Sequence, residues 1–446
     1  MVLLQPNQGP QHKLLEDWTP YNESVIWDIA NKYYKNKGVQ AFSNNASNRA
    51  VPHSINTNYV NAKALAELIK ANLVNYPQNY CLQILECGAG SGYFSMNFLH
   101  AARDIGILDR VKLLISDYTT INLQEIRELN MLEGFIEGED YEFIELDVLN
   151  PEAAQSLSGK AFLLGKVSAV ILNYVLDALP LTVLRRANSN YEELHLRIQE
   201  SHTSLHDAIN NPNLMTSLIK SEKWLAYETQ SKTDLETKYF NTFQDFYHNT
   251  DPKRYIPYPY TAMAACQKLL EYLDDYGLIF SCDIPPLKSS YCQIVGNALA
   301  HEIDNELLAK YFSGIGIQTK VQIDDMVSRL IMSKNPSVLP SIEASFQEHY
   351  ITNNLVHRYI DLREVLIRFT YPESADVMKY VLEEFEKIAK NSPYPGIYWG
   401  NYYGMLGETT KAIAAYQEAK KHDYIKSYNL DEIIENLQNK LTQKSK

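Results

Sequence analysis

The chain is poor in cysteine, and its five cysteines are scattered over 446 residues without a C-x-x-C pair. This spacing excludes a disulfide framework or a zinc ribbon and favours a reducing, intracellular environment. Positive charge is also scarce, because 41 Lys and Arg are set against 54 Asp and Glu and the formal net charge is −13. Since binding to nucleic-acid phosphates needs a surplus of Lys and Arg, we expect no nucleic-acid partner.

Long apolar runs are missing as well, since none reaches the roughly 18 residues that a membrane span needs. The first residues have neither the basic region nor the apolar core of a signal peptide. We therefore expect a cytoplasmic protein with no membrane contact. Hydrophobic residues make up 45% of the chain and charged residues 21%, which is typical of a folded protein, and the length suffices for two to four domains.

The most informative stretch is 82–94, in which an apolar run with strand character ends on the acid Glu86. Glycines follow at alternate positions, at Gly88, Gly90 and Gly92, and a helix is predicted to begin at about Ser91. Glycine lets the backbone turn sharply and approach a ligand, and the new helix points unpaired N–H groups at the same space. Dinucleotide sites prefer G-x-G-x-x-G, with the third glycine one place later. The pattern E-x-G-x-G-x-G instead resembles the first motif of class I S-adenosylmethionine (SAM) methyltransferases.

Three further predicted strands, 111–116, 141–146 and 167–172, each end on a polar residue. These residues are Asp117, Asp147 and Asn173, at spacings of 31, 30 and 26 from one strand end to the next. Such spacing fits one strand–helix unit each, and in an open α/β sheet ligands bind outside the carboxyl ends of the strands. All four polar residues should therefore lie at the same edge as the glycine loop.

The remaining pattern predicts an α/β fold, a class I methyltransferase (Rossmann-like) mixed sheet of seven strands. A fifth strand over 278–283 and a closing hairpin of 318–323 and 328–333 complete it. The predicted domains are an N-terminal helical lid segment (1–80), a methyltransferase domain (81–335) with a helical insertion (186–255), and an α-helical domain (336–446). Within the first of these, Ala50 to Tyr59 is the candidate for the lid itself.

The chemistry of SAM suggests a partner for each of its parts. The glycine loop can bind the methionine carboxylate and Glu86 the ammonium, while Asp117 can accept from both ribose hydroxyls and Asp147 from the adenine amine. The alternative for each acid is a helix N-cap, where Asp is favoured. The residues assigned to the cofactor are Glu86, Gly88, Ala89, Gly90, Gly92, Asp117, Tyr118, Asp147, Val148 and Asn173.

A more particular resemblance lies in the stretch 173–180, which reads N-x-x-x-D-A-L-P. With the glycine loop, over about 82–184, it resembles the MidA-like family, SAM-dependent methyltransferases linked to assembly of mitochondrial complex I and implicated in protein arginine methylation. The resemblance implies that Asn173, Tyr174 and Asp177 lie where the methyl group is transferred. The family usually has Asn-Glu where this chain has Asn173-Tyr174. Since a guanidinium acceptor needs a carboxylate to hold it, an arginine substrate does not carry over directly.

Candidates for a general base are Asp177, Tyr174 and His53. An i, i+4 pair of histidines, His202 and His206, lacks the Glu of a zincin motif, and we predict no metal site. Tyrosines among the prolines that follow the insertion, Tyr255, Tyr258 and Tyr260, are candidates for an acceptor pocket.

In the C-terminal region, the spacing of small and aromatic residues from Gly400 to Ala419 resembles a tetratricopeptide repeat. Such a tail implies a protein partner, a protein substrate or a homodimer. The sequence thus predicts a SAM-dependent methyltransferase whose acceptor is unidentified and is possibly a protein side chain. The alternatives are a SAM-binding scaffold with an inactive methyltransferase domain and, less compatible with the glycine register, a nucleotide-linked oxidoreductase.

Overall fold

The computed structural model describes residues 13–43, 57–162, 164–188, 190–200, 214–252, 254–286, 292–295, 298–324, 327–368 and 375–444. Across these ranges, none of the helices combines the length and the apolar character needed to cross a membrane. Most of the lid candidate 50–59, the possible base His53 and the pair His202 and His206 lie outside the described residues.

The central sheet has eight strands in the order β14-β15-β11-β6-β2-β3-β4-β5. Its inner strands are parallel, and the β14–β15 hairpin adds two antiparallel strands beside β11. The two-residue β5 is antiparallel to β4 at the other edge, so the sheet has one strand more than the seven expected. The strands are β2 (Leu82–Cys87), β3 (Val111–Asp117), β4 (Tyr141–Glu145), β5 (Gln155–Ser156), β6 (Val167–Asn173), β11 (Leu273–Asp283), β14 (Gln318–Ile323) and β15 (Ser328–Ser333).

Helices cover both faces of this sheet, as the alternating pattern predicts. One face packs against α2, α3 and the first helices of the C-terminal region, and the other against α7, α8 and α9. The helices up to the hairpin are α1 (Val25–Lys37), α2 (Tyr59–Asn72), α3 (Tyr93–Asp104), α4 (Thr120–Glu128), α5 (Leu214–Ser217), α6 (Asp234–Lys238), α7 (Phe240–Tyr247), α8 (Tyr260–Tyr272) and α9 (Asn305–Gly314).

The insertion differs from the prediction, because its first part is a β-sheet and not a set of long helices. Strands β7 (Thr182–Ala187), β8 (Asn190–Glu200) and β9 (Ile219–Ala226) are antiparallel, and β10 (Ile256–Tyr258) pairs with β7. Within the described residues, the short α5, α6 and α7 and a 3-10 helix (Thr229–Ser231) interrupt them. A small separate hairpin joins β12 (Gln293–Val295) to β13 (Ala298–Ala300).

The N-terminal segment belongs to the same small sheet, since β1 (Lys13–Pro20) pairs with the second half of β8. Helix α1 then packs Ile26, Trp27 and Ile29 against the inner face of that sheet. The expected helical segment is therefore a strand followed by a helix, which joins the insertion to the rest of the chain.

The C-terminal region is helical throughout the part that the structure describes. Helices α10 (Val338–Phe346) and α11 (Leu355–Arg368) are joined by a π-helix (Gln347–Thr352), and α12 (Ala375–Ile388), α13 (Tyr394–Met405), α14 (Thr409–Lys420) and α15 (Leu430–Lys444) follow. One continuous apolar cluster runs from the central sheet through α2 and α10 to α13. The tail thus rests on the α/β core. Its division into a separate domain at 336 stays a prediction.

The crossing of α13 and α14 is as close as the spacing of small residues suggests. A Cβ atom on Gly396 would lie 2.7 Å from the backbone oxygen of Ala415, and one on Gly400 would lie 2.5 Å from the ring of Tyr416. The assignment to the tetratricopeptide repeat family remains a prediction.

We predict that Gly396→Val destabilises the tail by about 1–3 kcal/mol, because the neighbouring atoms are backbone and cannot move aside cheaply. Hydrogen exchange of the α13 and α14 amides measures this loss, while the amides of β2 and β6 should keep their protection. Gly404→Ala is the matched control, because nothing lies within 4 Å of its Cβ position, and it should be neutral or slightly stabilising. Equal effects of the two variants would contradict the close crossing.

Candidate functional site

The glycine loop after β2 is closely packed by three separate parts of the chain. Gly88, Gly90 and Gly92 have φ values of 70°, 53° and 77°, in the left-handed region that favours glycine. Added Cβ atoms would lie 2.9 Å from Val175, 2.8 Å from the ring of Phe42 and 2.9 Å from Ile126, respectively. Every one of the three glycines is therefore required by conformation and by space.

The segment that covers this loop comes from the N terminus, from the end of α1 to Phe42. The Val39 N–H donates to Oε2 of Glu125 on α4 over 2.7 Å, and Gly38 lies so close to Glu125 that no side chain fits there. The ring of Phe42 lies on Gly90, and Tyr34 lies 6.2 Å from Phe42 between ring centroids. A covering segment was expected at 50–59, whereas the described residues that cover the loop lie earlier in the chain.

Asp117 ends β3 and reaches the glycine loop directly. Its Oδ2 accepts from the Gly90 N–H over 2.9 Å, and its Oδ1 accepts from the Thr119 N–H over 3.0 Å. Burial raises the pKa of the Asp117 carboxyl, and these hydrogen bonds oppose the rise. The carboxylate thus contacts both the glycine loop and the turn before α4, whose N-cap residue is Thr119 and not Asp117. Its role as a cofactor ligand stays a prediction.

Glu86 is buried beneath the loop, and the hydroxyl of Ser95 on α3 donates to its Oε2 over 2.5 Å. Burial raises the pKa of Glu86 to about 8. The side chain is therefore largely protonated at neutral pH. A cation placed beside it would favour the charged form.

Asp147 and its neighbours lie two residues beyond the end of β4. The carboxylate of Asp147 accepts from the Leu149 N–H over 2.9 Å and from the amide of Asn150 over 2.7 Å, so it holds its own turn. Val148 is buried, and Tyr118, after β3, is 42% exposed with Lys35 4.6 Å above its ring.

Asn173 ends β6 with a buried side chain amide. Neither its Oδ1 nor its Nδ2 has a hydrogen-bond partner in the protein, although burying an amide without partners costs free energy. Tyr174 follows with a φ of 53°, which is unusual for a residue other than glycine. Burial raises the pKa of Tyr174 well above its usual value, so its hydroxyl stays protonated.

Asp177 stands beside a second buried acid, Asp283, at the end of β11. Burial raises the pKa of both carboxyls, that of Asp283 to about 7, and the negative charge of Asp283 raises that of Asp177 further. Both carboxyls therefore keep a proton to a higher pH than an ordinary aspartic acid does. This makes Asp177 a poor general base on its own.

His301 fixes the backbone of this turn. Its Nδ1 and its backbone N–H both lie 3.0 Å from the carbonyl oxygen of Asp177, and its Nε2 lies 2.8 Å from the hydroxyl of Tyr21. Its ring stacks on Trp27 at 4.9 Å. Burial lowers the pKa of His301 to about 4, so the neutral ring donates from Nδ1 and accepts at Nε2.

The structure brings the predicted strand-end residues to one edge, but sequence reasoning missed several side chains around them. Asp283 stood at a predicted strand end and was not assigned a role. Phe42 lies in a polar stretch without periodicity, and His301 was not among the candidate residues. The tyrosine pocket is not formed as expected, since Tyr258 and Tyr260 are buried in the core of the second sheet face.

Comparison with known proteins gives one family match. The model of a family described as "Putative S-adenosyl-L-methionine-dependent methyltransferase" matches residues 62–318, more than half of the chain. None of the curated proteins matches.

Solved structures are similar only at low identity. A COG1565 superfamily protein from Burkholderia thailandensis, bound to S-adenosylhomocysteine, is 14% identical over 71% of this chain and 88% of its own, with a TM-score of 0.48. The 1,6-didemethyltoxoflavin-N1-methyltransferase of the same organism is 11% identical over 74% and 97%, with a TM-score of 0.32.

We predict that Glu86 makes the free protein less stable as pH rises from about 4.5 to about 8. In this window the folded chain keeps a proton that the unfolded chain, with an ordinary pKa of 4.5, has lost. Glu86→Gln should remove this fall, so the variant should gain stability relative to the native chain toward pH 8. Denaturant unfolding at several pH values measures it, with the exposed Glu139→Gln as control. Parallel pH curves for Glu86→Gln and the native chain would contradict the burial argument.

Proposed function

Because this chain belongs to the family of S-adenosyl-L-methionine-dependent methyltransferases described above, we propose that it transfers the methyl group of SAM to an acceptor bound beside Asn173. The observation that carries the proposal is the direct hydrogen bond between Asp117 and the glycine loop, at the edge where β2, β3 and β6 all end. A parallel α/β sheet binds its ligands at this edge.

The residues at the site fit the parts of the cofactor. Backbone N–H groups at the start of α3 suit the methionine carboxylate. Glu86 suits the ammonium, whose charge would draw the proton from this carboxyl. Asp117, whose carboxylate stands against the glycine loop at the end of β3, suits the ribose diol, while Asp147, Val148 and Tyr118 surround the expected place of the adenine.

Asn173 supports the proposal independently, because its buried amide has two donor and two acceptor positions with no hydrogen-bond partner among the described residues. When bound, SAM supplies an electrophilic methyl group on a sulfonium, which passes to a lone pair of the acceptor and leaves a neutral thioether. The protein then has mainly to hold the acceptor in line, which is worth effective molarities of roughly 10⁵–10⁸ M.

Tyr174 and Asp177 are proposed to act on the acceptor side. Burial raises the pKa of both groups, which favours their protonated forms, so each serves as a hydrogen-bond donor that orients the acceptor. The acid pair Asp177–Asp283 can take up one proton if the acceptor must lose it. We further propose a MidA-like enzyme with a protein side chain as a possible acceptor and the helical tail as a platform for a partner or a second copy.

The first test is isothermal titration calorimetry with S-adenosylhomocysteine, SAM and NAD(P). We expect micromolar or tighter binding of S-adenosylhomocysteine and no heat with NAD(P), because the third glycine is out of register for a dinucleotide. Binding of NAD(P) alone would overturn the proposal. Binding of SAM without turnover on any acceptor would instead favour the scaffold alternative.

We predict that Asp117→Asn weakens the binding of S-adenosylhomocysteine by about ten- to a hundred-fold. Losing a hydrogen bond to a charged group usually costs about 1.5–3 kcal/mol. Asp140→Asn is the matched control, because Asp140 also caps a turn, accepting from the Ile136 N–H over 2.8 Å, but it lies before β4 at the opposite edge of the sheet. If Asp117→Asn lowers thermal stability but changes affinity less than twofold, Asp117 is a cap and not a ligand.

A further inference from the structure

A row of polar side chains crosses three neighbouring strands next to the proposed methyl-transfer site. Asn173 on β6 is paired with Cys282 on β11, and Cys282 is paired with Arg329 on β15. Residues paired in this way point to the same face of a sheet, about 5 Å apart from one strand to the next. Asn173 and Arg329 therefore stand on one face, separated by a single strand.

Arg329 is fully buried, and only part of its guanidinium is used. Its Nη1 donates to Gln322 and to Oδ2 of Asp324, the latter over 2.9 Å. Its Nε and Nη2 have no hydrogen-bond partner among the residues that the structure describes. These two N–H groups form one side of the planar fork, the arrangement that binds a carboxylate through two parallel hydrogen bonds.

Tyr350 completes the cluster from the opposite layer. It lies in the π-helix Gln347–Thr352, and the guanidinium carbon of Arg329 is 5.0 Å from the centre of its ring. Its hydroxyl is buried and has no hydrogen-bond partner in the protein. Burial raises the pKa of Tyr350, so the hydroxyl remains a donor.

The character of these groups selects the ligand chemistry. The unused atoms include N–H donors of Arg329 and Asn173 and the Tyr350 hydroxyl, and Asn173 Oδ1 is the one unused atom of the row that only accepts. A guanidinium or ammonium would bring more donors to a position that already has a surplus. A carboxylate supplies four acceptor positions and matches the free side of the fork.

We propose that Arg329, Asn173 and Tyr350 form a binding site for a carboxylate, and that this carboxylate belongs to the methyl acceptor. Its assignment to the acceptor rests on the proposed function. Its position supports the assignment, since β15 lies three strands away from β2 and its glycine loop in the sheet order. Neighbouring strands of a sheet lie about 4.8 Å apart, so the methionine end of a cofactor bound at that loop does not reach Arg329.

The probe is acetate, with acetamide as the uncharged analogue of the same shape and sodium chloride as the control for ionic strength. Thermal unfolding is recorded with saturating S-adenosylhomocysteine and increasing acetate. A ligand that binds only the folded chain raises the unfolding midpoint by mass action. We expect a saturable rise of about 2 °C or more with acetate and none with acetamide.

Two variants connect this response to the cluster. Arg329→Lys keeps the positive charge but loses the two-pronged side of the fork, and we expect the apparent acetate affinity to fall at least about tenfold. Tyr350→Phe removes only the hydroxyl and should cost about three- to ten-fold. Tyr402→Phe, at a buried tyrosine of α13 outside the row, should leave the response unchanged.

Several outcomes would overturn the inference. Equal responses to acetate and acetamide, or an unchanged acetate response in both Arg329→Lys and Tyr350→Phe, would exclude a carboxylate at this cluster. A crystal structure in acetate with water alone at Nε and Nη2 would do the same.

Calorimetry of S-adenosylhomocysteine with Arg329→Lys separates the two sources of a carboxylate. A change within twofold is expected, and a loss above tenfold would assign the site to the cofactor and overturn the acceptor assignment. If the native chain does not bind S-adenosylhomocysteine at all, the proposed function fails. Acetate titrated without it still tests the carboxylate site by itself.

Discussion

The rest of the site depends on the absence of side chains at three alternate positions of one loop. Cβ atoms added to Gly88, Gly90 and Gly92 would lie within 3 Å of Val175, Phe42 and Ile126, respectively. These three side chains come from the turn after β6, the N-terminal segment and helix α4. A side chain in the loop would push apart three elements that are distant in sequence, so the loop sets the geometry of the site as well as offering N–H groups to a ligand.

The sheet and its functional edge could be predicted because their signals are local. A buried parallel strand is an apolar run, and a polar residue at its end marks the edge, as at Glu86, Asp117 and Asn173. The insertion was predicted wrongly although its signal exists, since Leu194, Leu196 and Ile198 alternate with polar residues as a half-buried strand requires. The covering segment could not be predicted, because Phe42 contacts Gly90 across 48 residues of chain and nothing local to Phe42 indicates it.

The C-terminal helices illustrate a limit of pattern-based domain division. The loss of alternation after Ser333 correctly marks where strands give way to helices in the described chain. The apolar core, however, does not end there, since Val338, Phe346 and Tyr350 belong to the same cluster as the central sheet. A separate cluster forms only around α14 and α15. A change of secondary-structure type and a break in the core are different events, and sequence periodicity reports only the first.

The functional edge divides by charge in a way that suits the transfer of a methyl group from a cationic donor. Around β2 and β3 this edge carries the carboxyl groups of Glu86 and Asp117, which accept hydrogen bonds. Around β6 and β15 it carries the N–H donors of Asn173 and Arg329 that have no partner among the described residues. Burial raises the pKa of the Tyr34 hydroxyl on α1, and the charges of Asp177 and Asp117 raise it further, so Tyr34 is near an acid of each half. Phe42 of the same segment lies on Gly90. Under the proposed function, the donor and the acceptor would therefore both meet this one stretch of chain.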